Sequence, residues 1–471
     1  MPTVPPNVPL SLPGLKEKRP RQIGRSVVST LAFSSYDVGN SGYATSIMST
    51  LFPIYYSSYF LPESMDRYDQ LTLGLANSLP AIVVSISAPF LGALADNSRS
   101  RKPFLAFFCA IGVLGCLALA AVPADWWWLA LLCYMVSIVG FSGSNVFYDS
   151  LLPSASRYCP SMVDVVSSSG YAFGYVGGGV LLVIQIVMIF ASPSSLGSIP
   201  MRLAFASTAV WWSAFTLPTL LFVRELPPAN SLPIGQALAR VPRDVYETVK
   251  SFGHYRQLAL FLASYWLYID GVDTTIRLAA SMGAELGISD LNLMLALLMV
   301  QFCAFPAALG YGVLGKLIGP KPAIMIALVI FTVGSVVAAI FMSNALHFFM
   351  LSFVTALVMG GTQALSRSLF ARMIPPERET QFFGFFNMLG KFSVFMGPIL
   401  VGVTSTVLNV RWGLASLSLL FFGGLVLLIL VSPKKAMKAA RAAPKSVEQA
   451  ELFNGMVGSD EPSYPVTGAD V

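Results

Sequence analysis

Charged residues are scarce in this 471-residue chain: only 11% are Asp, Glu, Lys or Arg, whereas 55% are hydrophobic. A soluble protein carries about 25% charged residues, so this composition excludes an ordinary soluble domain. Apolar runs of about 20 residues recur along the whole chain, and each is long enough to cross a bilayer as a helix. The runs are continuous rather than alternating, which argues against a β-barrel.

Cysteine and histidine are also scarce, with five and two residues respectively. The sequence contains no CxxC pair and no HExxH, Walker or strand-linked GxGxxG pattern, so it gives no support for a disulfide framework, a metal centre, an ATP-driven pump or a membrane hydrolase. We therefore expect a protein that is not an enzyme, with no catalytic residues, no metal ligands and no cofactor.

The apolar runs predict an all-α membrane protein with twelve transmembrane helices in two six-helix repeats. The predicted spans cover residues 27–60, 70–95, 103–122, 126–152, 165–191, 203–224, 258–283, 291–315, 323–342, 346–373, 380–408 and 412–431. The first is long, and we expect it to bend near Pro53. The spans divide the chain into an N-terminal tail (1–26), an N-terminal half (27–224), a linker with some amphipathic helix (225–257), a C-terminal half (258–431) and a polar C-terminal tail without regular structure (432–471).

Lys and Arg residues are unevenly distributed between the two sides of this predicted bundle. Only Arg67, Arg202 and Arg411 fall in the odd-to-even connections, whereas the two tails and the even-to-odd connections hold most of the others. Because basic loops stay on the cytoplasmic side, we expect both termini to be cytoplasmic. The same asymmetry accounts for the net charge of +6, and no nucleic-acid partner is expected.

Charged residues nevertheless occur inside five of the predicted spans. A charge near the centre of a bilayer costs about 2.5–3.5 kcal/mol, so such a residue usually faces a polar cavity or a partner. The first span also has a polar face, because Asn40 lies one turn from Asp37. This pattern predicts a polar path through the bundle, and a structural hydrogen-bond network between helices is the alternative. The five charges are Asp37, Asp149, Asp270, Arg367 and Lys391.

Two segments of similar sequence indicate that the halves are parallel repeats. GSNVFYDSLL (143–152) aligns with GTQALSRSLF (361–370), which pairs Asn145 with Gln363 and Asp149 with Arg367. In transporters built from such repeats, substrate binds between the halves near the bilayer midplane. The predicted substrate or coupling residues are Asp37, Asn40, Asn145, Asp149, Asp270, Gln363, Arg367 and Lys391.

Two alternatives stay open at these positions. Arg367 and Lys391 either bind an anionic group of the substrate or neutralise the buried aspartates. Asp273 and Arg277 lie at i and i+4 of the seventh span, and a structural ion pair is the favoured interpretation of that spacing.

The loop GALADNSRSRKP (92–103) follows the second span and predicts a cytoplasmic gate. Its glycine permits close helix packing, its aspartate can act at a helix end, and its basic residues can hold carbonyls or carboxylates when that side closes. The alternative is a loop that only sets topology. The equivalent stretch after the eighth span has Lys316 where an aspartate is expected, so the sequence does not support a second gating contact there. The predicted gate residues are Gly92, Asp96, Arg99, Arg101 and Lys102.

This loop resembles the signature loop of the major facilitator superfamily. A longer series of motifs, spread over about residues 27–431, resembles the vacuole effluxer family of autophagy-related transporters within that superfamily. The resemblance implies twelve helices, alternating access by a rocking motion and, for fungal members, release of neutral amino acids from the vacuole. The motifs are YD-x-x-N near the N-terminus, GALAD…RKP, SSSGYAFGYVGGG (167–179), WWSAFTLPTLLFVRE (211–225), YIDGVDT (268–274) and GGTQALSRSLFARMIP (360–375).

Together these features predict a secondary active transporter of a small polar organic solute, with amino acid efflux as the favoured activity. We expect a small-molecule substrate and the lipid bilayer as partners, proton coupling as an open question, and a monomer. The compact chain favours a bacterial inner-membrane protein, with the vacuolar membrane as the location in a eukaryote. The alternatives are a transporter of a sugar, peptide or drug, and a membrane receptor or scaffold that transports nothing.

Overall fold

The computed structural model describes residues 20–98, 100–225, 232–285, 290–341, 344–375, 378–392, 396–408 and 410–442, and the regular structure in these ranges is helical. The first six predicted spans and the linker form α1 (Pro20–Tyr43), α2 (Phe52–Tyr55), α3 (Asp69–Asp96), α4 (Lys102–Ala121), α5 (Trp127–Ser150), α6 (Leu152–Ala155), α7 (Val163–Phe190), α8 (Ile199–Phe222) and α9 (Ile234–Ser251). The remainder forms α10 (Arg256–Glu285), α11 (Asp290–Ile318), α12 (Pro320–Phe341), α13 (Ala345–Met373), α14 (Glu379–Phe392), α15 (Met396–Val407), α16 (Val410–Leu430) and α17 (Pro433–Ala442).

Within these described ranges, ten helical segments are long and apolar enough to cross a membrane. They correspond to the second to sixth and the eighth to twelfth predicted spans. The first and seventh predicted spans correspond to α1 with its continuation and to α10. These two segments are less apolar because they carry Asp37 with Asn40, and Asp270 with Asp273.

The first span changes its helical geometry where the sequence predicts a bend. Beyond Tyr43 the chain continues in wider π-helical turns at Ala44–Leu51 and Tyr56–Phe60, on either side of α2. Pro53 lies in α2 and has no N–H group to donate, so regular helical hydrogen bonding cannot continue through it.

The two predicted repeats meet along two lines of helix contact, which we call seams. In the first seam α3 packs along α14, and in the second α7 packs along α11 and α13. Glycine makes the first seam possible: a Cβ atom on Gly92 would lie 2.7 Å from the Cα of Gln381, and one on Gly384 would lie 2.6 Å from the carbonyl oxygen of Ala88. Both obstacles are backbone atoms, which cannot move aside as a side chain does.

We call the end of the bundle where α3 ends and α14 begins the basic end. The expectation of an unstructured C-terminal tail is wrong for the stretch at this end, because Pro433–Ala442 forms α17. Ala436 and Ala440, spaced i and i+4, are buried, and α17 contacts α10 and α13. Lys434 and Lys435 are exposed on its other side, so the helix is amphipathic and is held by its alanine face.

We expect Gly92→Ala to weaken the first seam, because the added methyl group meets the backbone of α14. Overpacking of this kind costs about 1–3 kcal/mol, which should lower the thermal unfolding temperature of the purified protein in detergent. Gly74→Ala is the matched control in the same helix, since a Cβ atom at Gly74 meets no atom within 4 Å. Equal unfolding temperatures for the two variants would contradict the close packing of this seam.

Candidate functional site

Arg367 of α13 lies in a buried cluster with Asp37 of α1 and Asp149 of α5, which we call the central ion cluster. Arg367 is only 1% exposed. Its Nη1 is 3.1 Å from Asp149 Oδ1, and its Nη2 is 3.4 Å from Asp37 Oδ2. The structure thus places the residues paired by the sequence repeat in direct contact. Since α1 and α5 belong to the first repeat and α13 to the second, one guanidinium joins the two halves.

Arg367 makes two further hydrogen bonds, both to Ser167. Nε donates to Ser167 Oγ at 2.9 Å, and Nη2 donates to the Ser167 carbonyl at 2.9 Å. The ring of Tyr171 lies 4.5 Å from the guanidinium carbon, at cation–π distance. A buried cation persists only when charges and hydrogen bonds compensate for its lost hydration, and this environment supplies both.

The two aspartates have further partners of their own. The Tyr148 hydroxyl donates to Asp37 Oδ2 at 2.6 Å, and Asn387 Nδ2 of α14 donates to Asp149 Oδ2 at 3.0 Å. Two carboxylates therefore share one guanidinium. Lys391, one turn beyond Asn387, interacts electrostatically with Asp149, and its ammonium lies 5.3 Å from the centre of the Phe141 ring.

Gly170 of α7 is the small residue that makes room for the cluster. A Cβ atom at Gly170 would collide with the Asp37 carboxylate and would lie 3.0 Å from Arg367 Nη2. Because Gly170 belongs to the SSSGYAFGYVGGG segment, part of that motif is explained by the space that the ion pair needs.

The central ion cluster lies near the basic end of the bundle. Arg367 is six residues before the end of α13, which corresponds to about 9 Å of helix, and Asp149 is the penultimate residue of α5. The depth of these residues in the bilayer, which the repeats place near the midplane, stays a prediction. The cluster joins the halves near the end of the bundle where both seams carry charge.

A second set of polar residues lies one helical turn farther from the basic end. Asn145 lies four residues before Asp149, Gln363 lies four residues before Arg367, and Lys391 lies four residues after Asn387, so each is on the same helix face as its reference residue. All three are half-buried, whereas Asn40, one turn from Asp37, is buried. We call Asn40, Asn145, Gln363 and Lys391 the polar layer.

Hydrogen bonds fix part of this polar layer. The Tyr175 hydroxyl of α7 donates to Gln363 Oε1 of α13 at 3.4 Å, across the two repeats. The Tyr36 hydroxyl lies 3.4 Å from Asn40 Oδ1 and 2.7 Å from Ser144 Oγ. The polar layer therefore contains residues of both halves, Asn40 and Asn145 from the first and Gln363 and Lys391 from the second.

Asp270 lies apart from the central ion cluster. It is fully buried, and it accepts hydrogen bonds from the Gly397 N–H at 2.9 Å and from the Thr274 hydroxyl at 3.2 Å. Gly397 belongs to α15, so this carboxylate joins α10 to α15. Its role in substrate binding remains a prediction.

The predicted ion pair between Asp273 and Arg277 lies partly outside the described residues, because the Arg277 side chain is not among them. Asp273 itself is half-buried. It interacts electrostatically with Tyr171 and Tyr175 of the second seam. The ion pair stays a prediction.

The loop after α3 is joined to the first turn of α14. Asp96 Oδ1 accepts the Thr380 N–H at 3.0 Å, and Oδ2 accepts the Gln381 N–H at 2.8 Å. These are amide groups that a helix N-terminus leaves unsatisfied, and the helix dipole favours a carboxylate there. Arg101 binds Asp96 Oδ1 at 3.1 Å and also pairs with Glu379. Asp96 and Arg101 therefore connect the first repeat to the second.

The Arg101 guanidinium is held in its charged form by these contacts. Burial opposes its charge, but the carboxylates of Asp96 and Glu379 outweigh that effect and raise the pKa of Arg101 above its ordinary value. Lys102 differs, because its Nζ donates to the Leu220 carbonyl at 2.7 Å within its own repeat. Arg99, also predicted for the gate, lies outside the described residues.

The second seam carries a charged contact that the sequence did not reveal. Asp164, in the first turn of α7, pairs with Arg372 near the end of α13, and the Ser368 hydroxyl donates to Asp164 Oδ1 at 2.7 Å. From the sequence, a second gating contact was considered only in the stretch after the eighth span. The contact at Asp164 could have been found from the acidic first turn that α7 shares with α14, because these two helices begin equivalent spans.

Solved structures show which class of protein has this fold. The proton:xylose symporter XylE, bound to 6-bromo-6-deoxy-D-glucose, superposes with a TM-score of 0.64 at 12% identity, over 86% of this chain and 94% of that protein. The transporter FucP in its outward conformation gives a TM-score of 0.62 at 14% identity, over 87% and 99%. The fold is that of the major facilitator superfamily.

Sequence relatives narrow the class to one family. Residues 72–441 match the family described as vacuole effluxer Atg22 like. The MFS-type transporter YxiO of Bacillus subtilis is 34% identical over 404 residues, covering 84% of this chain and 93% of that protein. Autophagy-related protein 22 of Saccharomyces cerevisiae is 26% identical over 424 residues, covering 79% and 78%. The chain belongs to the Atg22-like family and is a multi-pass membrane protein of the major facilitator type, which confirms the predicted family and fold.

We expect Asp149 and Arg367 to be strongly coupled in stability. Arg367→Gln alone leaves two carboxylates without their shared partner, and breaking a buried pair in this way costs about 3–5 kcal/mol. Asp149→Asn in the same chain should recover part of that loss, with an interaction energy of about 0.5–3 kcal/mol in a double-mutant cycle of thermal unfolding.

The exposed pair Arg243–Glu247 provides the control cycle, since these side chains are 78% and 39% exposed. A surface pair at i and i+4 is worth only about 0.3–0.5 kcal/mol. An interaction energy between Asp149 and Arg367 that is no larger than that of the control pair would refute the direct interaction.

Proposed function

We propose that the protein is a secondary active transporter that exports a small zwitterionic solute, most simply an amino acid, by alternating access. The observation that carries this proposal is the arrangement of the polar layer directly beyond the central ion cluster. Both include residues from the two repeats, so a solute held by the layer contacts the halves that must move relative to each other.

The polar layer offers groups suited to an amino acid. The Lys391 ammonium can bind an α-carboxylate, and the amides of Asn145 and Gln363 can accept hydrogen bonds from an α-ammonium. Arg367 is a poorer carboxylate ligand in this conformation, because it is buried and donates to Ser167, Asp37 and Asp149. Of the two alternatives that the sequence left open for Arg367, this favours neutralisation of the buried aspartates over binding of the substrate carboxylate.

The central ion cluster suits a coupling role. Asp37 and Asp149 share one guanidinium, so adding a proton to either carboxylate weakens a link between the halves without leaving Arg367 unpaired. We propose that this protonation accompanies the change between the two facing states. A proton gradient would then drive solute movement.

The basic end is closed in this conformation by both seams. We propose that it faces the cytoplasm, as the distribution of Lys and Arg predicts. Opening toward the cytoplasm then requires Asp96 to leave the N-terminus of α14 and Arg372 to leave Asp164. The monomer is sufficient for this cycle, because both halves lie in one chain.

The direct test is solute flux in proteoliposomes that contain the purified protein, with a panel of labelled amino acids and, in parallel, sugars. We expect an imposed pH gradient to drive uptake of at least one neutral amino acid. Lys391→Met should raise its KM by about tenfold, the loss of about 1.4 kcal/mol of binding. Lys435→Met, on the exposed face of α17, is the control and should leave KM unchanged.

Three results would contradict parts of this proposal. Sugar flux without amino acid flux would exclude the substrate class. Amino acid flux that ignores pH gradients would exclude proton coupling. An unchanged KM in Lys391→Met would remove Lys391 from the binding site.

A further inference from the structure

The linker helix α9 packs on the basic end by one narrow face. Ala237, Val241 and Thr248 on that face are buried. Asn97, directly after α3, donates to Asp244 Oδ2 at 2.6 Å, and Arg378, directly before α14, donates to the Thr248 hydroxyl at 3.3 Å. The helix therefore spans the first seam and touches both repeats there.

A second face of α9 is apolar and exposed. Leu238 is 62% exposed and Tyr246 is 68% exposed, and Val249 is exposed beside them. Their spacing of eight and three residues places them within one arc of the helix, together with Pro242. An apolar arc of this kind is unfavourable in water, which indicates that another apolar medium covers it.

The surroundings of α9 identify that medium as the bilayer. α9 connects α8 to α10, and both of these elements end or begin at the basic end. Leu221 and Phe222, in the last turn of α8, are largely exposed, so the lipid-facing surface of the bundle continues up to the start of the linker. α9 therefore follows, in the chain, the end of this lipid-facing surface.

The third face of α9 carries positive charge. Arg240, Arg243 and Lys250 are exposed on the face that borders the apolar arc, where Arg243 also pairs with Glu247. Amphipathic helices that lie in the membrane interface combine an apolar face with Lys and Arg on the polar face, and their binding is strengthened by anionic lipids. The charge of α9 matches a leaflet that contains such lipids.

We propose that α9 is an interfacial helix that binds the anionic leaflet at the basic end of the protein. Leu238, Tyr246 and Val249 lie against the acyl boundary, and Arg243 and Lys250 lie among the headgroups. Because α9 also contacts both sides of the first seam, lipid binding holds the linker against the gate. This inference does not depend on the identity of the transported solute.

Electron paramagnetic resonance of a nitroxide label tests the proposal. Single cysteines replace Leu238 in one variant and Arg243 in another, with the half-buried Cys133 and Cys303 changed to serine. The full-length protein is placed in nanodiscs of phosphatidylcholine and phosphatidylglycerol. At Leu238→Cys we expect oxygen to relax the label more than a water-soluble nickel chelate does, and at Arg243→Cys we expect the reverse.

Lipid composition supplies the second arm of the test. In nanodiscs of phosphatidylcholine alone, the label at Leu238→Cys should be more accessible to the nickel chelate. The reason is that the attraction between the basic residues of α9 and the anionic headgroups is lost. Equal nickel accessibility at the two positions in both lipids would overturn the proposal. Protection of the Leu238→Cys label from both reagents would also overturn it, since a protein surface would then cover the arc.

Discussion

One buried guanidinium determines the arrangement of this protein. Arg367 has no access to water, so it must find its compensating charges and acceptors inside the bundle. It finds them on α1, α5 and α7 of the opposite repeat, through Asp37, Asp149 and Ser167. These contacts fix the position of the second half relative to the first. At position 170 a residue larger than glycine would collide with Asp37 and Arg367.

The closed basic end follows from the same constraint. With the halves held by the central ion cluster, α3 approaches α14 closely enough for Asp96 to accept two backbone N–H groups, and Asp164 reaches Arg372. Each contact is modest, but all of them cross between the repeats. A transporter that alternates its access must exchange them for others of similar free energy, so charge-neutralising events at the cluster are well placed to start the change.

The sequence predicted the fold and part of the site. Continuous apolar runs indicated the helices, and the alignment of 143–152 with 361–370 indicated that Asp149 and Arg367 face each other. It did not indicate that Asp149 lies at the last turn of α5, because hydropathy does not fix where a helix ends. Nor did it predict the pair of Asp164 and Arg372, since the acidic first turn of α7 does not show which basic residue of another helix it meets. The contact of Asp270 with α15 and the buried alanine face of α17 likewise depend on tertiary packing.

The central claim is that Arg367 holds the basic ends of the two repeats together. Pulsed electron paramagnetic resonance measures this directly, with nitroxide labels on Ser161→Cys, between α6 and α7, and Lys435→Cys, on α17; both positions are exposed. With Arg367 intact we predict one narrow distance distribution. With Arg367→Gln we predict a shift of a large share of the population to longer distances. An identical distribution in both proteins would contradict the account.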